Sequence, residues 1–288
     1  EATGEGVRVA SITNATTMVI VRGVGSTTGA AGSVANDAWL RSIGAAFGEG
    51  TDRATPRKQA PTEYANFTQI FKEGVEITRT ARVVNTNTED EQARQRMLSM
   101  RRISEQLVRS FYFGRKSNDL TDANGKPIRT MDGLYSAITT NVLDPSGAIT
   151  EDWLWEAIEP VFAVGSPRKM LYAGSVVVRQ MNSLFKDRIR ITQGQTAVGM
   201  SVGVIMTPFG ELQMVHDRAL NGTYARDGLI LDMEQLAWRP LPESDLQLKT
   251  DVQTPGSDTE AEEYLAEGTL EYGSEMFHGR INNVQDAA

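Results

Sequence analysis

The chain has 288 residues, of which 40% are hydrophobic and 23% are charged, and its formal net charge is −8. This length suits one large domain or two smaller ones. The acidic balance argues against a protein that holds nucleic acid by releasing counterions, because such proteins carry an excess of basic residues. The lack of cysteine excludes disulfides, zinc–thiolate sites and thiol nucleophiles. No apolar run approaches about 18 residues, so neither a membrane-spanning helix nor a membrane partner is expected.

The N-terminal segment predicts two short strands and a glycine-rich turn. Residues 7–22 contain β-branched runs on either side of a turn at 13–16. The following stretch, VRGVGSTTGAAG at 21–32, has the composition of a phosphate-binding loop. It lacks the lysine of a P-loop, and Gly23 and Gly25 lack the third glycine of a dinucleotide fingerprint. We therefore interpret these glycines as turn residues. Residues 38–48 fit a helix or a strand equally well.

Residues 63–84 predict a long hairpin of two extended limbs, with Gly74 between the limbs. An isolated two-stranded ribbon is marginally stable in water, so this ribbon needs a surface in its own chain or in another. Its apolar residues are Tyr64, Phe67 and Ile70 on the first limb and Val75, Ile77, Val83 and Val84 on the second.

A long helix over residues 88–114 is the clearest element. Thr88 is the predicted N-cap, and Glu91 three residues later completes a capping box. Gly114 ends the helix. Apolar residues recur every three or four positions and predict one stripe that packs on a sheet or on a partner. The stripe consists of Ala93, Met97, Met100, Ile103, Leu107 and Phe111.

The rest of the chain completes an α+β pattern, with strands at both ends and helices between them. Residues 124–133 are a predicted loop, a second helix follows its N-cap Thr150, and a third runs from a Ser175 cap to about Phe185. Strands are predicted at 169–174, 228–233 and 236–241, and a hairpin turns at 208–210. Residues 253–263 are a predicted polar linker, and residues 264–281 are a predicted long strand.

No catalytic, cofactor-binding or metal-binding residue is predicted. His216 and His278 have no second histidine nearby in the sequence and are interpreted as structural or solvated. The acids at 89–91 fit a helix start better than a calcium loop, and there is no Gly-x-Ser-x-Gly elbow. The aromatic and basic run at 109–116 could stack on nucleic-acid bases, but its place at a helix end favours core packing.

Charge is unevenly distributed along the chain. Residues 93–116 hold seven basic residues and one acid, Glu105, whereas residues 256–275 hold seven acids and no base. Two interpretations stay open at this point. The two segments could meet opposite charge on neighbouring subunits, or they could form two solvated faces.

An ordered set of motifs resembles the major capsid proteins of tailed bacteriophages, which have the Hong Kong 97-type fold. The motifs are TTMVIVRGVGSTTGAA at 16–31, NFTQIFKEGVEITRTA at 66–81 ahead of the arginine-rich helix, RTMDGL at 129–134, MLYAG at 170–174, TPFGELQMVHDRAL at 207–220, LILDMEQLAWRPL at 229–241 and EGTLEYGSEMFHGRI at 267–281.

The resemblance implies a division of the chain. It comprises an N-terminal arm with its β-segment (1–48), an extended E-loop (49–87), a spine helix with a peripheral domain (88–148), an axial domain (149–236) and peripheral-domain strands with the C-terminus (237–288). Further residues precede the position of Glu1 in that family, so the resemblance also implies maturation cleavage or an unrecorded start.

The resemblance further implies a structural protein without enzymatic activity or cofactors. Copies of the chain would assemble as pentamers and hexamers into an icosahedral head shell around double-stranded DNA, without sequence-specific binding. The shell would be assembled in the host cytoplasm and become part of the virion, with scaffold, portal and decoration proteins as further partners. The alternatives are an encapsulin-like nanocompartment on the same fold and an unrelated soluble enzyme.

Two sets of residues follow from the resemblance. The E-loop ribbon would contact the next subunit through Tyr64, Phe67, Ile70, Phe71, Val75 and Ile77. The spine helix would pack through Met97, Met100, Ile103, Leu107 and Phe111. We expect Met100→Asp or Leu107→Asp to abolish assembly and soluble yield, and we expect a subunit without residues 64–84 to fold but to fail in shell closure.

Overall fold

The computed structural model describes residues 6–14, 16–25, 41–44, 46–53, 63–84, 90–185, 190–191 and 203–285. The chain divides into two compact units, Glu1–Thr62 and Glu63–Ala288. Within the described ranges, no helix combines the length and the apolar character needed to cross a membrane.

The N-terminal unit contains the predicted hairpin. Strand β1 (Arg8–Asn14) pairs antiparallel with strand β2 (Thr17–Val21). The side-chain Oδ1 of Asn14 accepts a hydrogen bond from the backbone N–H of Thr16 at 2.9 Å, an arrangement that favours a tight turn.

The glycine-rich stretch begins as a turn. Gly23 and Gly25 have φ angles of 68° and 74°, a region that favours glycine, so the turn interpretation is confirmed for these two residues. The rest of the stretch, residues 26–32, lies outside the described residues. Residues 41–44 and 46–48, from the segment left open between helix and strand, form neither.

The second unit alternates strands and helices. Its strands are β3 (Gln69–Thr78), β4 (Ser117–Thr121), β5 (Pro127–Thr130), β6 (Val142–Leu143), β7 (Arg168–Ala173), β8 (Arg190–Ile191), β9 (Gly203–Thr207), β10 (Gly210–His216), β11 (Gly228–Leu231), β12 (Ala237–Pro240), β13 (Gln247–Lys249), β14 (Thr259–Glu271) and β15 (Gly279–Ile281). Its α-helices are α1 (Arg79–Val83), α2 (Glu91–Phe113), α3 (Leu134–Ala137), α4 (Glu151–Phe162) and α5 (Ser175–Leu184). Short 3-10 helices span Gly222–Arg226, Met233–Gln235 and Glu275–Phe277.

A seven-stranded mixed sheet, the large sheet, has the order β6–β15–β11–β7–β10–β9–β8. The central strand β7 pairs in parallel with β10 and antiparallel with β11. Its core joins Ile158 of α4, Leu171 of β7 and Met181 of α5, all fully buried. The apolar stripes of α4 and α5 are therefore covered against this sheet.

A second sheet, the small sheet, is built around β14. Strand β3 pairs with β14 along one edge over ten residue pairs, and β13 and β12 pair along the other edge. Its core joins Phe71 of β3, Ile103 of α2 and Ala266 of β14. Helix α2 is thus the element that covers the inner face of this sheet.

The predicted hairpin at 63–84 is wrong. Strand β3 runs straight through Gly74, which pairs with Glu263, and helix α1 follows the strand. A Cβ at Gly74 would meet nothing within 4 Å, so this glycine lies on an open face and makes no turn. The alternation that suggested two limbs is the inward and outward alternation of one strand, with Phe71, Val75 and Ile77 buried.

Three other segments differ from the sequence prediction. The loop predicted at 124–133 contains β5, which forms a hairpin with β4. Strand β14 begins at Thr259, inside the predicted polar linker, because its partner β3 extends that far. The predicted last strand is two strands, since the chain turns at Gly273, whose φ is 56°, and β15 then joins the large sheet beside β11.

Of the three predicted N-caps, the structure has the one of α4 and differs at α2 and α5. Thr150 caps α4 as expected, its hydroxyl oxygen accepting from the backbone N–H of Trp153. Helix α2 is capped by Asp90 rather than by Thr88, which lies outside the described residues. Helix α5 begins after Gly174 without a side-chain cap, so Ser175 is its first helical residue and not its cap.

Candidate assembly surfaces

His278 has a structural role. Its side chain is fully buried, its Nδ1 accepts a hydrogen bond from the backbone N–H of Asp232 at 3.2 Å, and its Nε2 lies 2.9 Å from the carbonyl oxygen of Tyr272. Burial lowers the pKa of His278, so the ring is neutral at pH 7. Both ring nitrogens are therefore engaged with backbone groups. His216 is exposed at the end of β10.

A buried ion pair, which the sequence analysis did not predict, stabilises the large sheet. Lys169 and Asp232 have fully buried side chains, and Nζ lies 3.4 Å from Oδ2. The Lys169 ammonium also donates to the carbonyl oxygens of Phe277 at 2.9 Å and Val164 at 3.2 Å. Burial lowers the pKa of Lys169 and is opposed by the charge of Asp232. The Lys169 ammonium thus links β7 to the segments that contain Asp232, Phe277 and Val164. Because these contacts satisfy its hydrogen bonds and its charge, a structural role fits this lysine.

Gly165 makes room for this pair. Its φ is 82°, and a Cβ at this position would lie 2.5 Å from Oδ2 of Asp232. In the part of the chain that the structure describes, no group of three or more histidines and acids is placed to hold a metal ion.

One ion pair joins the basic and acidic segments inside the subunit. Arg96 of α2 binds Glu262 of β14 through two guanidinium nitrogens, and the pKa of the nearly buried Glu262 is held below its usual range by Arg96. Arg79, which precedes the basic segment, pairs with Asp258 at 2.7 Å. These contacts occur because α2 and β3 lie beside β14. Arg101, Arg102 and Arg109 of the basic segment are more than half exposed, so the two interpretations left open above stay predictions.

The aromatic run at the end of α2 packs in the core. Tyr112 is buried and donates its hydroxyl proton to Asp217. The ring of Phe113 stacks on Tyr224 with centroids 4.2 Å apart. The core-packing interpretation of residues 109–116 is confirmed.

The apolar stripe of α2 divides into a covered and an uncovered half. Ile103, Leu107 and Phe111 belong to the core of the small sheet, as predicted for helix packing. Met97 and Met100 are 68% and 39% exposed, so the sheet does not cover them, and their packing on a partner stays a prediction. Next to Met97 and Met100 the covered side of α2 is marked by the buried residues Ser99 and Ile103, four positions apart, whereas Tyr112 is buried on the opposite side near the C-terminal end.

The six residues predicted to contact a neighbouring subunit also divide. Phe71, Val75 and Ile77 are buried within their own subunit on the inner face of β3, which corrects their predicted role. Tyr64 is 80% and Ile70 is 55% exposed, and Phe67 is half-buried. These last three, Tyr64, Phe67 and Ile70, remain predicted contacts.

The β1–β2 hairpin presents an uncovered apolar face that the sequence alone did not indicate. Val9 is paired with Ile20, and Ile12 with Met18. Directly paired residues share a face, and Met18 and Ile20 are two apart on one strand, so all four side chains lie on the same face. Register shifts between Val9 and Ser11 and between Ile12 and Asn14 produce this arrangement. Because it depends on bulges, alternation in the sequence could not reveal it.

Comparison with known proteins agrees with these observations. The family model of the SU10 major capsid protein matches residues 9–285. The major capsid protein of Pseudomonas phage PaMx41 is 27% identical over 216 residues, which are 69% of this chain and 50% of that protein. The chain therefore spans about half the length of this curated relative.

Solved structures share the fold at low sequence identity. The TM-score is 0.54 with the SrpI encapsulin complex of Synechococcus elongatus PCC 7942, at 12% identity, covering 76% of this chain and 74% of that one. It is 0.52 with the satellite phage P4 procapsid that includes the size determination protein, at 11% identity, covering 88% and 83%. At these identities the likeness concerns the fold alone, an α+β fold of the Hong Kong 97 type.

Proposed function

We propose that this chain, which belongs to the SU10 major capsid protein family, is the self-assembling structural subunit of a phage head shell around double-stranded DNA. The family match over residues 9–285 carries this proposal, because it takes in both the hairpin and the two sheets. The shell protein has no catalytic task in this proposal, and its contacts are with copies of itself, as pentamers and hexamers.

Exposed apolar surface supports the proposal. The hairpin leaves Val9, Ile12 and Met18 uncovered, and α2 leaves Met97 and Met100 uncovered. Soluble proteins that exist as monomers rarely leave such groups together on a surface, whereas subunits of assemblies do. Repetition around closed rings lets contacts that are weak singly stabilise a shell.

The proposed division of the chain keeps the boundaries implied by the resemblance, with two changes. The axial domain corresponds to the large sheet, to which β6 and β15 are added, and the peripheral domain to the small sheet with α2. The E-loop is narrowed to residues 49–68, since β3 begins at Gln69. Residues 54–62 of that loop lie outside the described residues.

Further partners belong to the same proposal. Scaffold, portal and decoration proteins would bind the shell, and assembly would take place in the host cytoplasm before the shell becomes part of the virion. The net charge of −8 suits a shell that encloses DNA without binding it tightly, because tight binding by counterion release requires an excess of basic residues.

Negative-stain electron microscopy of the purified chain tests the proposal. We expect closed particles of uniform diameter, and a sample that stays monomeric at high concentration would contradict it. The contents of particles isolated from cells distinguish the alternative function that the encapsulin likeness suggests. Nuclease-protected DNA supports a phage head, whereas a single co-purifying enzyme supports a nanocompartment.

A further inference from the structure

The chain contains two Asn–Gly pairs, Asn124–Gly125 and Asn221–Gly222. Asparagine is a chemically labile residue, and it is most labile before glycine. Because glycine has no side chain, its backbone nitrogen can approach Cγ of the preceding asparagine without a steric clash. The two pairs have the same local chemistry, so a difference in their reactivity has to arise from the fold.

The first pair is held in a closed turn between β4 and β5. The backbone N–H of Gly125 donates to the carbonyl oxygen of Asp122 at 3.0 Å. The side-chain Oδ1 of Asp122 accepts from the backbone N–H of Asn124 at 2.9 Å and from that of Lys126 at 2.7 Å. The nitrogen of Gly125 is therefore engaged, and the turn must open before this nitrogen can move.

The second pair lies where the 3-10 helix Gly222–Arg226 begins, and both of its residues are exposed. Within the described part of the chain, the backbone N–H of Gly222 has no hydrogen-bond acceptor, and the Asn221 side chain makes no capping hydrogen bond. The φ of Gly222 is 60°, and a Cβ there would meet nothing within 4 Å. This nitrogen and the neighbouring amide are therefore free to approach each other.

We propose that Asn221 is a site of spontaneous deamidation, with the backbone nitrogen of Gly222 as the nucleophile. This nitrogen gives up its proton and attacks Cγ of Asn221, and the new C–N bond closes a succinimide ring. The side-chain nitrogen takes up a proton and leaves as ammonia. Water then opens the ring at either carbonyl carbon, which gives aspartate or isoaspartate. Water is the co-reactant, and no electrons are transferred.

The reaction would change the start of this 3-10 helix. Both products add a negative charge there, and isoaspartate also routes the main chain through the side-chain methylene. The carbonyl oxygen of Asn221 accepts from the backbone N–H of Tyr224 at 3.2 Å, and Tyr224 stacks on Phe113 with centroids 4.2 Å apart. Ageing of the protein therefore acts on the contact between this segment and the end of α2. The inference concerns the single chain and does not depend on the proposed function.

Peptide mapping by mass spectrometry tests the proposal on the folded chain, incubated for days in a mildly alkaline buffer. Trypsin releases peptide 219–226, in which Asn221 is the only asparagine, and fragmentation of peptide 117–129 locates a change at Asn124. We expect Asn221 to deamidate roughly tenfold faster than Asn124 or more, because several hydrogen bonds must break before Gly125 can attack. The Asn221 product should contain both aspartate and isoaspartate.

The matched control is the same chain unfolded in urea, where the two pairs lose their different surroundings and should react at similar rates. The variant Asp122→Ala removes the side-chain acceptor of the turn, so it should raise the rate at Asn124 and leave the rate at Asn221 unchanged. Equal rates in the folded chain, a faster reaction at Asn124, or an Asn221 that reacts in urea but stays intact in the folded chain would overturn the proposal.

Discussion

At the scale of single residues, Lys169 and Asp232 form an ion pair in which both charged groups are removed from water. Both side chains are fully buried, and Asp232 also accepts the backbone N–H of Ser166 at 2.7 Å. Burial acts to raise the pKa of Asp232, but the Ser166 amide and Lys169 together hold it below the usual range. Removing one partner therefore lowers the free energy of unfolding by more than the intact pair contributes to it, because the other charge is left buried alone.

The variant Lys169→Met should lower the free energy of unfolding by about 3–5 kcal/mol, since it leaves Asp232 as an uncompensated buried carboxylate. Urea denaturation followed by circular dichroism measures the change on the unassembled subunit. The double variant Lys169→Met/Asp232→Asn retains the acceptor for Ser166 without the charge. It should recover a substantial part of the loss, and a double variant as unstable as the single one would show that the charge is not the cause.

At the scale of elements, the two halves of α2 contact the small sheet in different ways. Its C-terminal half is covered by the small sheet through Ile103, Leu107 and Phe111, and its N-terminal half is joined to β14 by Arg96 and leaves Met97 open. The helix is thus anchored by burial at one end and by a charged pair at the other. Its exposed side remains accessible to another molecule.

Substitutions on the two sides of α2 should separate folding from assembly. Ile103→Ala should cost about 2–5 kcal/mol of unfolding free energy, because a fully buried side chain leaves a cavity. Met97→Ala should change it by no more than about 0.5 kcal/mol, because the side chain is exposed. Thermal melts of both variants provide the comparison. Similar losses in the two would indicate that Met97 is covered within the subunit.

The same distinction alters the expectation for Met100→Asp. The carboxylate would lie on the exposed side of α2, so the subunit should fold and remain soluble. Leu107→Asp, in contrast, introduces a charge at the edge of the small-sheet core and should still reduce soluble yield. Only the first of these variants can report on assembly separately from folding.

At the scale of the whole molecule, residues 64–84, which the sequence prediction assigned to assembly, are needed for folding. Residues 64–84 include β3, which pairs with β14 over ten residue pairs, so deleting them would remove an edge of the small sheet and unfold the subunit. The N-terminal unit, in contrast, presents the exposed apolar residues Val9, Ile12 and Met18.

Deleting residues 1–25 should leave a folded subunit that assembles poorly. The concentration needed for particle formation should rise by about tenfold or more, because losing even about 1.4 kcal/mol per contact changes an equilibrium constant by a factor of ten. Light scattering across a dilution series measures this threshold, and circular dichroism checks the fold. Unchanged assembly of the shortened chain would mean that the hairpin is dispensable for the shell.

The sequence by itself determined the local elements that depend on local chemistry. Periodicity identified α2 and α4, the cap at Thr150 followed from its hydroxyl, and β-branched runs identified β1, β2 and β11. The ordered motifs also predicted the α+β fold and the capsid family before any packing was known. These features are encoded within a few neighbouring residues, and no distant contact is needed to specify them.

Tertiary structure decided which faces are covered and what each segment pairs with. The alternation in 69–78 could not say whether β3 turns at Gly74 or continues, because its partner β14 lies some 190 residues away in the chain. The apolar stripe of α2 could not show which of its members meet the sheet, and the bulges that gather Val9, Ile12, Met18 and Ile20 on one face exist only once the strands are paired. Burial and register are properties of distant segments brought together, and no local pattern contains them.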